Sequence, residues 1–388
     1  MEKTINECFY QIQNGANIKQ GDVEGGFPIT RIETTANDKF NRDRMGYAGI
    51  TDISKYEAYV LEDGDLLMSH INSVQYLGRT VLYVKQPDEI IIHGMNLLRL
   101  KARRNIINPA YARYCFYGHT FRCQIGNITK KSVNQASFAV KDLKQIKIEV
   151  PSLDVQNKVV VILDRVQKII DMRNNELASL DDLIKARFVE MFGSIHESTK
   201  YPYIAVKDLT DVTSGGTPSR DKTEYWDNGT IPWVKTTELQ NNVLIDVDEH
   251  ITEAGLAGSS AKLVPVGTIL VAMYGQGKTR GMTAYLGVEA STNQACACIL
   301  PSDKVDSMFM WKYFELSYDK LRSLAQGAGQ PNLNGNMIKN FQVLVPPIEL
   351  QKEYVDFVNQ INKSKVAVQK ALEQTQTLFD SLMQKYFG

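Results

Sequence analysis

The sequence lacks the features of several large protein classes. No stretch approaches the roughly 18 consecutive apolar residues of a membrane-spanning helix, and Met1 leads into a polar segment without a signal-peptide core. The five cysteines are an odd number and have no paired metal-ligand spacing, so we expect no metal site. These absences predict a cytoplasmic protein that makes no contact with a membrane.

Catalytic patterns are also missing. The five histidines are scattered, and none pairs with a Ser or Cys as nucleophilic catalysis would require. The chain has no Asn-Pro-Pro-aromatic tetrapeptide, which an adenine methyltransferase active site would need. Asp142-x-Lys144 resembles a nuclease pattern, but such triplets are common by chance and the second half of the chain has no counterpart. We therefore expect no catalytic residue in this chain.

Charge is balanced overall but unevenly distributed. The chain has 44 Lys and Arg against 44 Asp and Glu, yet no acid occurs between Glu89 and Asp142. The cations in this stretch are Arg99, Lys101, Arg103, Arg104, Arg113, Arg122, Lys130, Lys131 and Lys141. An acid-free basic stretch predicts a surface that faces phosphate groups. The alternative is a solvated basic face that has no ligand.

The chain contains an internal repeat. The stretches 135–193 and 330–388 align without a gap, so that Gln156 falls on Gln351 and Phe192-Gly193 falls on Phe387-Gly388. At 388 residues the chain is too long for one ordinary core, and two copies are too few for a solenoid. The repeat predicts a pseudo-two-fold molecule that presents two similar surfaces.

Each copy combines a mixed region with a long helical region. Short β-branched runs and Gly-rich turns predict strands at 80–84, 89–92, 146–150 and 268–271, with one helix near 109–119 and another near 307–324. The predicted fold class is mixed α/β. Its parts are a first mixed domain (1–150), a central long helix (151–193), a second mixed domain (194–345) and a C-terminal long helix (346–388).

The two long helices carry apolar residues at spacings of three and four. Proline precedes each first turn and glycine follows each last turn, as is typical of helix ends. Such a helix would be a rod of about 57 Å. One apolar stripe needs a partner, so we predict an antiparallel coiled coil. The alternative is that each helix packs only on its own domain. The predicted seam comprises Val159, Ile162, Val166, Ile169, Leu177, Leu180, Ile184, Tyr354, Phe357, Ile361, Val368, Leu372, Leu378 and Leu382.

Several segments together resemble one protein family. Gly215-Gly216-Thr217-Pro218-Ser219, Glu224-Tyr225-Trp226 and Ile231-Pro232-Trp233-Val234-Lys235 resemble the start of a target-recognition domain in Type I restriction–modification specificity subunits (HsdS). The later segments that match are Pro265–Val271, Ser291–Ala295 and Val345–Gln351. The resemblance covers nearly the whole chain, but the first domain has Asn14-Gly15-Ala16-Asn17 in place of the Gly-Gly-Thr-Pro-Ser piece.

The resemblance implies a non-catalytic subunit that reads a bipartite target in double-stranded DNA. It would bind two modification (methyltransferase) subunits through the helices, and restriction subunits through the same core. S-adenosylmethionine, ATP and magnesium would be used by those partners, and this chain would bind no cofactor. The alternative that this family leaves open is a specificity and scaffold protein of a modification-only or fused restriction–modification enzyme.

One motif favours another function. The segment from Ala272 to Thr279 follows a strand-like run and ends in Gly277-Lys278-Thr279, one glycine short of a phosphate-binding loop. A true phosphate loop would start a helix at Lys278, whereas the following residues alternate like a strand. We therefore interpret this segment as a variable loop whose donors face DNA.

Side chains suited to DNA readout occur in both domains. Arg and Lys can bond guanine, Asn and Gln can bond adenine, and many other polar residues hold phosphates. In the first domain we select Arg42, Arg44, His70, Asn72, Gln75, Arg79, Arg103, Arg104, Lys130 and Lys131. In the second we select Thr217, Ser219, Arg220, Lys222, Tyr274, Gln276, Lys278, Arg280, Gln330 and Asn332. Trp226 and Trp233 are expected to anchor loops or the core.

Overall fold

The computed structural model describes residues 1–21, 25–133, 135–275, 277–325 and 332–388. These residues form two compact units. The first unit comprises Met1–Asn174 together with Lys370–Gly388, and the second comprises Asn175–Gln369. Each unit therefore holds one mixed domain and part of both long helices.

The first domain is built on a four-stranded antiparallel sheet. Its strands are β1 (Glu2–Thr4), β2 (Phe9–Asn14), β3 (Pro28–Ile29), β4 (Gly46–Tyr47), β5 (Leu66–Ser69), β6 (Ile71–Asn72), β7 (Thr80–Leu82), β8 (Leu97–Ala102), β9 (Lys130–Lys131), β10 (Ala136–Ser137) and β11 (Lys147–Glu149). Its helices are α1 (Ile5–Cys8), α2 (Pro109–Tyr117), α3 (His119–Ile128) and α4 (Val140–Leu143), with 3-10 turns at Ile32–Asp38, Arg42–Arg44, Glu57–Tyr59 and Val74–Tyr76. The main sheet has the order β2-β8-β5-β7, beside a small sheet β6-β10-β9 and the ladders β1-β11 and β3-β4.

Strand β8 corrects the prediction that the acid-free stretch forms one basic surface. All six of its residues are buried, including Arg99 and Lys101. Arg99 is 1% exposed and donates from Nη1 to the Val60 carbonyl at 2.9 Å and from Nη2 to the Ala58 carbonyl at 2.6 Å. Lys101 is paired with Glu62. A buried cation is retained when protein acceptors replace water, so these two cations hold loops and do not face a ligand.

The long helix α5 (Leu153–Phe192) begins in the first unit and ends in the second. It contains 40 residues, which corresponds to about 60 Å.

The second domain repeats the plan of the first. Its strands are β12 (Tyr203–Ala205), β13 (Val212–Ser214), β14 (Ile231–Val234), β15 (Asn242–Leu244), β16 (His250–Ile251), β17 (Ile269–Ala272), β18 (Thr283–Leu286), β19 (Ser291–Thr292), β20 (Cys296–Ile299) and β21 (Gln342–Leu344). Its helices are α6 (Val206–Leu209), α7 (Glu253–Ala257), α8 (Ser307–Leu316), α9 (Tyr318–Leu324) and α10 (Gly335–Lys339), with 3-10 turns at Thr223–Tyr225 and Thr236–Glu238. The second long helix, α11 (Ile348–Phe387), also has 40 residues.

The repeat inferred from the sequence is confirmed in the sheets. The order β13-β20-β17-β18 corresponds to β2-β8-β5-β7, with β15 added at the edge, and the ladder β12-β21 corresponds to β1-β11. The predicted strands at 80–84, 146–150 and 268–271 are confirmed as β7, β11 and β17. The run at 89–92 forms only isolated bridges of Ile92, so that prediction was wrong.

A buried glutamine ties each long helix to its domain. Gln156 accepts from the Asn108 backbone N–H at 2.8 Å and donates to the carbonyls of Ile106 and Pro151. In the second copy, Gln351 accepts from the Asp306 N–H at 2.8 Å and donates to the Pro346 carbonyl. Both glutamines bond through their amide oxygen and nitrogen, which is why a polar residue is tolerated in the core.

The two long helices pack together antiparallel. In the first unit, the beginning of α5 and the end of α11 share one apolar cluster that contains Leu163 and Phe387. In the second unit, the end of α5 lies beside the beginning of α11. There Asp181 pairs with Lys365 at 2.5 Å and Arg187 with Glu353 at 2.8 Å, so partner numbers fall along α11 as they rise along α5.

The seam prediction is wrong at three positions. Ile162 (38% exposed), Ile169 (42%) and Leu378 (50%) lie at the surface. On α5 the buried residues in those turns are Leu163 and Ile170, and on α11 the residue facing the core is Phe379. Val159 and Val166 fit two heptad frames, one with Ile162 and Ile169 and the other with Leu163 and Ile170. The second frame is the buried one, but it also contains Gln156, whose polar side chain makes that frame look less apolar in the sequence.

The remaining seam residues divide between buried and half-buried positions. Val159, Val166, Ile184 and Tyr354 are buried. Those half-buried are Leu177, Leu180, Phe357, Ile361, Val368, Leu372 and Leu382. On α5 the half-buried Leu177 and Leu180 lie between the buried Val166 and Ile184.

Phe188 provides a test of the packing at one end. Its ring is fully buried and meets Tyr354 edge-on at 5.5 Å between centroids. Phe188→Ala should lower the free energy of unfolding by about 3–5 kcal/mol, because it leaves a cavity among aromatic rings. The neighbouring Val189 is exposed, so Val189→Ala should change it by less than about 0.5 kcal/mol. Urea unfolding of the two variants checks this, and equal effects would contradict the packing described.

Candidate nucleic-acid interface

The first domain presents an exposed loop at one end of its main sheet. This loop, Ser69–Arg79, connects β5 to β7 and is here called the first loop. Ile71, Val74 and Tyr76 are three large apolar side chains that it exposes to solvent. Its ends are joined by backbone hydrogen bonds, Ser69 N–H to the Arg79 carbonyl at 2.9 Å and Gly78 N–H to the Ser69 carbonyl at 2.8 Å. Apolar residues exposed together on a closed loop are typical of a contact surface.

An arginine supports the first loop from beneath. Arg122 on α3 donates from Nη2 to the Gln75 carbonyl at 3.4 Å and from Nη1 to the Leu77 carbonyl. Two backbone carbonyls bound to one planar guanidinium tie the loop to α3 and limit its motion. The loop is therefore preorganised for binding, which lowers the entropy lost on association.

The small sheet brings two lysines to the first loop. Asn72 on β6 and Lys131 on β9 are both paired with Ala136 on β10, one on each side. Adjacent strands lie about 4.8 Å apart, so the two residues are separated by about 10 Å. Lys130 and Lys131 are exposed. The structure thus brings together Asn72, Gln75, Arg79, Lys130 and Lys131 from the residues selected by sequence.

A cavity of about 360 Å³, lined by both polar and apolar groups, opens beside the first loop. Its lining includes Asn72 and Arg79, which the sequence pointed to, and also Glu33 and Asn37, which it did not. Asn37 has a left-handed backbone conformation, with φ of 56°. Asn and Asp tolerate the left-handed conformation, and they follow one another at Asn37-Asp38. This pair was the sequence signal that could have indicated a tight turn here.

Other residues selected in the first domain lie elsewhere or are engaged. Arg103 and Arg104 follow the end of β8. In the β5–β8 ladder the start of β8 pairs with Ser69, where the first loop begins, so Arg103 and Arg104 lie at the opposite end of the sheet from that loop. Arg104 also forms an ion pair with Asp63. Arg44 is exposed on its 3-10 turn. Arg103 and Arg104 therefore lie apart from the first loop, and their selection as DNA contacts stays a prediction, as does that of Arg44.

His70 is buried, although it is next to the first loop's exposed part. Burial lowers the pKa of its imidazole to about 4, so the side chain is neutral at physiological pH. It packs edge-on against Phe138 at 6.3 Å between centroids. This environment is that of a core residue and not of a phosphate contact, so the selection of His70 was wrong.

Arg42 is held by an internal ion pair. Its Nε and Nη2 atoms donate to both carboxylate oxygens of Glu89, at 2.9 and 2.6 Å. Glu89 also accepts from the Tyr83 hydroxyl at 2.8 Å and from the Gln86 backbone N–H at 2.7 Å. The Arg42 hydrogen bond is the main cause that lowers the pKa of Glu89 to about 2. These contacts give Arg42 a structural role.

The second domain has a loop at the equivalent place. The second loop (273–282) connects β17 to β18, as the first loop connects β5 to β7. Tyr274 is exposed on it. It too is supported by an arginine from the helix beneath, since Arg322 on α9 donates to the Arg280 carbonyl at 2.9 Å and the Tyr318 hydroxyl donates to the Lys278 carbonyl at 2.7 Å. Asn332 adjoins this loop, because the Leu333 N–H donates to the Met273 carbonyl.

The strand after the second loop excludes the phosphate-loop alternative. Strand β18 begins at Thr283, and Lys278 lies in a turn instead of at the start of a helix. Of the residues selected here, Lys278 is exposed and Arg280 half-buried. Gln276 and Gln330 lie outside the described residues.

Two tryptophans anchor the Gly-Gly-Thr-Pro-Ser segment. The Trp233 indole N–H donates to the Gly216 carbonyl and the Trp226 indole N–H donates to the Ser219 carbonyl, both at 3.0 Å. The rings meet perpendicularly at 5.0 Å between centroids. The interpretation of these tryptophans as anchors is confirmed.

Selected residues near the tryptophan pair have internal partners. Arg220 lies 3.6 Å over the Trp226 ring and pairs with Glu249 at 2.6 Å. Lys222 donates to the Tyr225 hydroxyl, and Thr217 donates to Gln294 at 2.5 Å. Gln294 was not selected from the sequence. Its place in the Ser291–Ala295 segment, which matches the family, was the available signal. Ser219 is exposed beside this cluster.

Comparisons with known proteins agree with this architecture. The profile of the Type I restriction modification DNA specificity domain matches residues 2–182 and 198–375. The chain belongs to the family of Type I restriction–modification specificity subunits. It is 26% identical over 414 residues to the Type I restriction enzyme MjaX specificity subunit of Methanocaldococcus jannaschii, covering 97% of this chain and 91% of that protein. It is 23% identical over 232 residues to the EcoR124I/EcoR124II specificity subunit of Escherichia coli, covering 58% and 57%.

A solved structure shares the fold of this specificity subunit. The S subunit of a Type I restriction–modification system from M. genitalium superposes with a TM-score of 0.60 at 13% identity, covering 100% of this chain and 96% of that one. Within the described ranges, no helix is long and apolar enough to cross a membrane. The same residues contain no group of three or more His, Cys, Asp or Glu that could hold a metal ion.

The ion pair of Arg42 predicts a pH-dependent stability. Glu89→Gln should lower the free energy of unfolding by about 2 kcal/mol at neutral pH, because a charged acceptor of several hydrogen bonds is lost. Since the folded-state pKa is depressed, this contribution is fully present above the unfolded pKa of about 4.5 and is lost as pH falls toward about 2. In urea titrations from pH 7 to pH 3, the free energies of unfolding of the wild type and of Glu89→Gln should converge. Asp43→Asn, at an exposed neighbour of Arg42, is the control and should leave the free energy of unfolding nearly unchanged. A difference between wild type and Glu89→Gln that stays constant with pH would contradict the ion-pair account.

Proposed function

We propose that this chain reads a bipartite target in double-stranded DNA, one half-word with each domain, and that it has no catalytic activity of its own. The observation that carries the proposal is the pair of equivalent loops. Each leaves the same strand of the repeated sheet, exposes apolar and polar side chains, and is supported by an arginine donating to its carbonyls. Rigid sheets with diverged loops suit recognition of two different sequences.

The long helices are the proposed docking site for two modification subunits, and restriction subunits would bind to the same core. An exposed apolar ridge on α5 supports this proposal. Val155, Ile162 and Ile169 are spaced by seven residues, lie on one face and are exposed. Exposed apolar side chains in a row on a helix are typical of an interface with another protein. S-adenosylmethionine, ATP and magnesium would be used by those subunits.

Methyl transfer measured with and without the partner tests the proposed role. The purified chain alone should transfer no methyl group from S-adenosylmethionine to DNA. Adding the modification subunit should produce transfer at one bipartite sequence. Activity of the chain alone would refute the proposal, and so would a target that stays the same when this chain is replaced by a relative with different loops.

The helix pair predicts how the gap between half-words is set. Deleting seven residues from the middle of both α5 and α11 preserves the heptad frame and shortens each helix by about 10 Å. The gap between the half-words should then shorten by about three base pairs, at about 3.4 Å each, while both half-words stay the same. Sequencing of methylated sites in cells that carry the deletion variant measures this. An unchanged gap would show that the helices do not set the spacing.

A further inference from the structure

The first loop contains one cation that is both positioned and available. The Arg79 guanidinium stacks on Tyr76, with 4.7 Å from Cζ to the ring centroid, and its Nη1 atom donates to Asp38 Oδ1 at 3.4 Å. The side chain is 34% exposed and lines the cavity beside the first loop. We propose that Arg79 is a base-reading residue of the first domain, that it takes a guanine, and that Asp38 and Tyr76 position it. This inference rests on the proposed function.

The other cations nearby are unsuited to reading a base. Arg42 has the Nε and Nη2 edge of its guanidinium bound to Glu89, so that bidentate edge is taken, and Arg122 is directed beneath the loop to backbone carbonyls. Lys130 and Lys131 carry compact charges on flexible stems, which hold phosphates without selecting a base. Arg79 differs because a planar guanidinium can bond O6 and N7 of guanine at once. Its ion pair with Asp38 uses Nη1 and leaves the Nη2 and Nε edge for a ligand.

The backbone that carries Asp38 indicates that its position matters. Asn37 and Asp38 are consecutive residues with φ of 56° and 58°, both left-handed. Asn and Asp are the residue types, apart from Gly, that adopt this conformation most readily, so these two residues favour the turn that places the Asp38 carboxylate. The turn is fixed from the other side as well, since Arg113 Nη2 donates to the Asp38 carbonyl at 3.3 Å. Asp38 thus holds one edge of the guanidinium, and the Tyr76 ring sets its plane.

The chemistry of the cavity agrees with a base edge as the ligand. Asn37 and Asn72 line it together with Arg79, so side chains that carry amide and guanidinium groups surround one space. Glu33 adds an acceptor that suits the N4 amino group of the cytosine paired with that guanine. A phosphate, in contrast, would be repelled by the Glu33 carboxylate.

The test uses the full chain assembled with modification subunits and a library of duplexes with randomised half-words. Sequencing of the bound DNA measures the preference at every position. Arg79→Ala should reduce the preference for guanine at one position of the first half-word by about 5- to 150-fold, the range of one bidentate contact. Arg79→Lys, which keeps the charge, should restore affinity but not that preference. The second half-word is an internal control and should not change.

The positioning role of Asp38 has its own readout. Asn tolerates the left-handed conformation, so Asp38→Asn should fold normally while releasing the guanidinium. It should weaken the guanine preference at that same position only, with an unchanged thermal unfolding midpoint. Asp38→Glu should restore part of the preference. A loss spread over all positions would mean that Asp38 only supports the fold.

Two results would overturn the assignment. If Arg79→Ala weakens binding equally for all sequences and reduces its salt dependence, Arg79 holds a phosphate. If the first half-word is unaltered, Arg79 makes no contact with it. Failure of the proposed function itself is distinguishable, because the wild-type complex would then select no bipartite target at all.

Discussion

The structure depends on the antiparallel pairing of α5 with α11. Because the helices run in opposite directions, the beginning of one and the end of the other enter the core of the same unit. Leu163 and Phe387 share the apolar cluster of the first unit, while Phe188 and Tyr354 share that of the second. Each globular domain therefore completes its core with residues from both repeats. This arrangement makes the helix pair a shared structural element and not a mere linker.

The repeated sheet explains how two domains can differ in what they bind. The order of the four shared strands is the same in both, and the variable loop leaves the same strand in each. Arg122 and Arg322 come from corresponding short helices and bond loop carbonyls, which are present whatever the loop sequence is. Support through the backbone lets side chains such as Tyr76 or Tyr274 vary freely. The same scaffold can thus hold loops of different specificity.

The sequence predicted the repeat, both long helices, their direction and the two loops. It did so because these features depend on local periodicity and on the match between copies. The frame of the seam was wrong at Ile162 and Ile169, since a buried polar residue, Gln156, marks the correct frame and its partners are distant in sequence. His70, Arg42 and Arg99 were misjudged for a related reason. Burial and the ion pair of Arg42 with Glu89 depend on tertiary contacts that no spacing reveals. Glu33 comes to line the cavity, and Asp38 comes to bond Arg79, only through the fold.

The two loops are proposed to read DNA separately, each for its own half-word. The most direct measurement replaces residues 71–78 of the first loop with a Gly/Ser segment of equal length and determines the DNA sequences bound by the assembled complex. We expect the first half-word to disappear while the second remains at full strength. Retention of both half-words, or loss of both in a complex that still assembles, would contradict the claim.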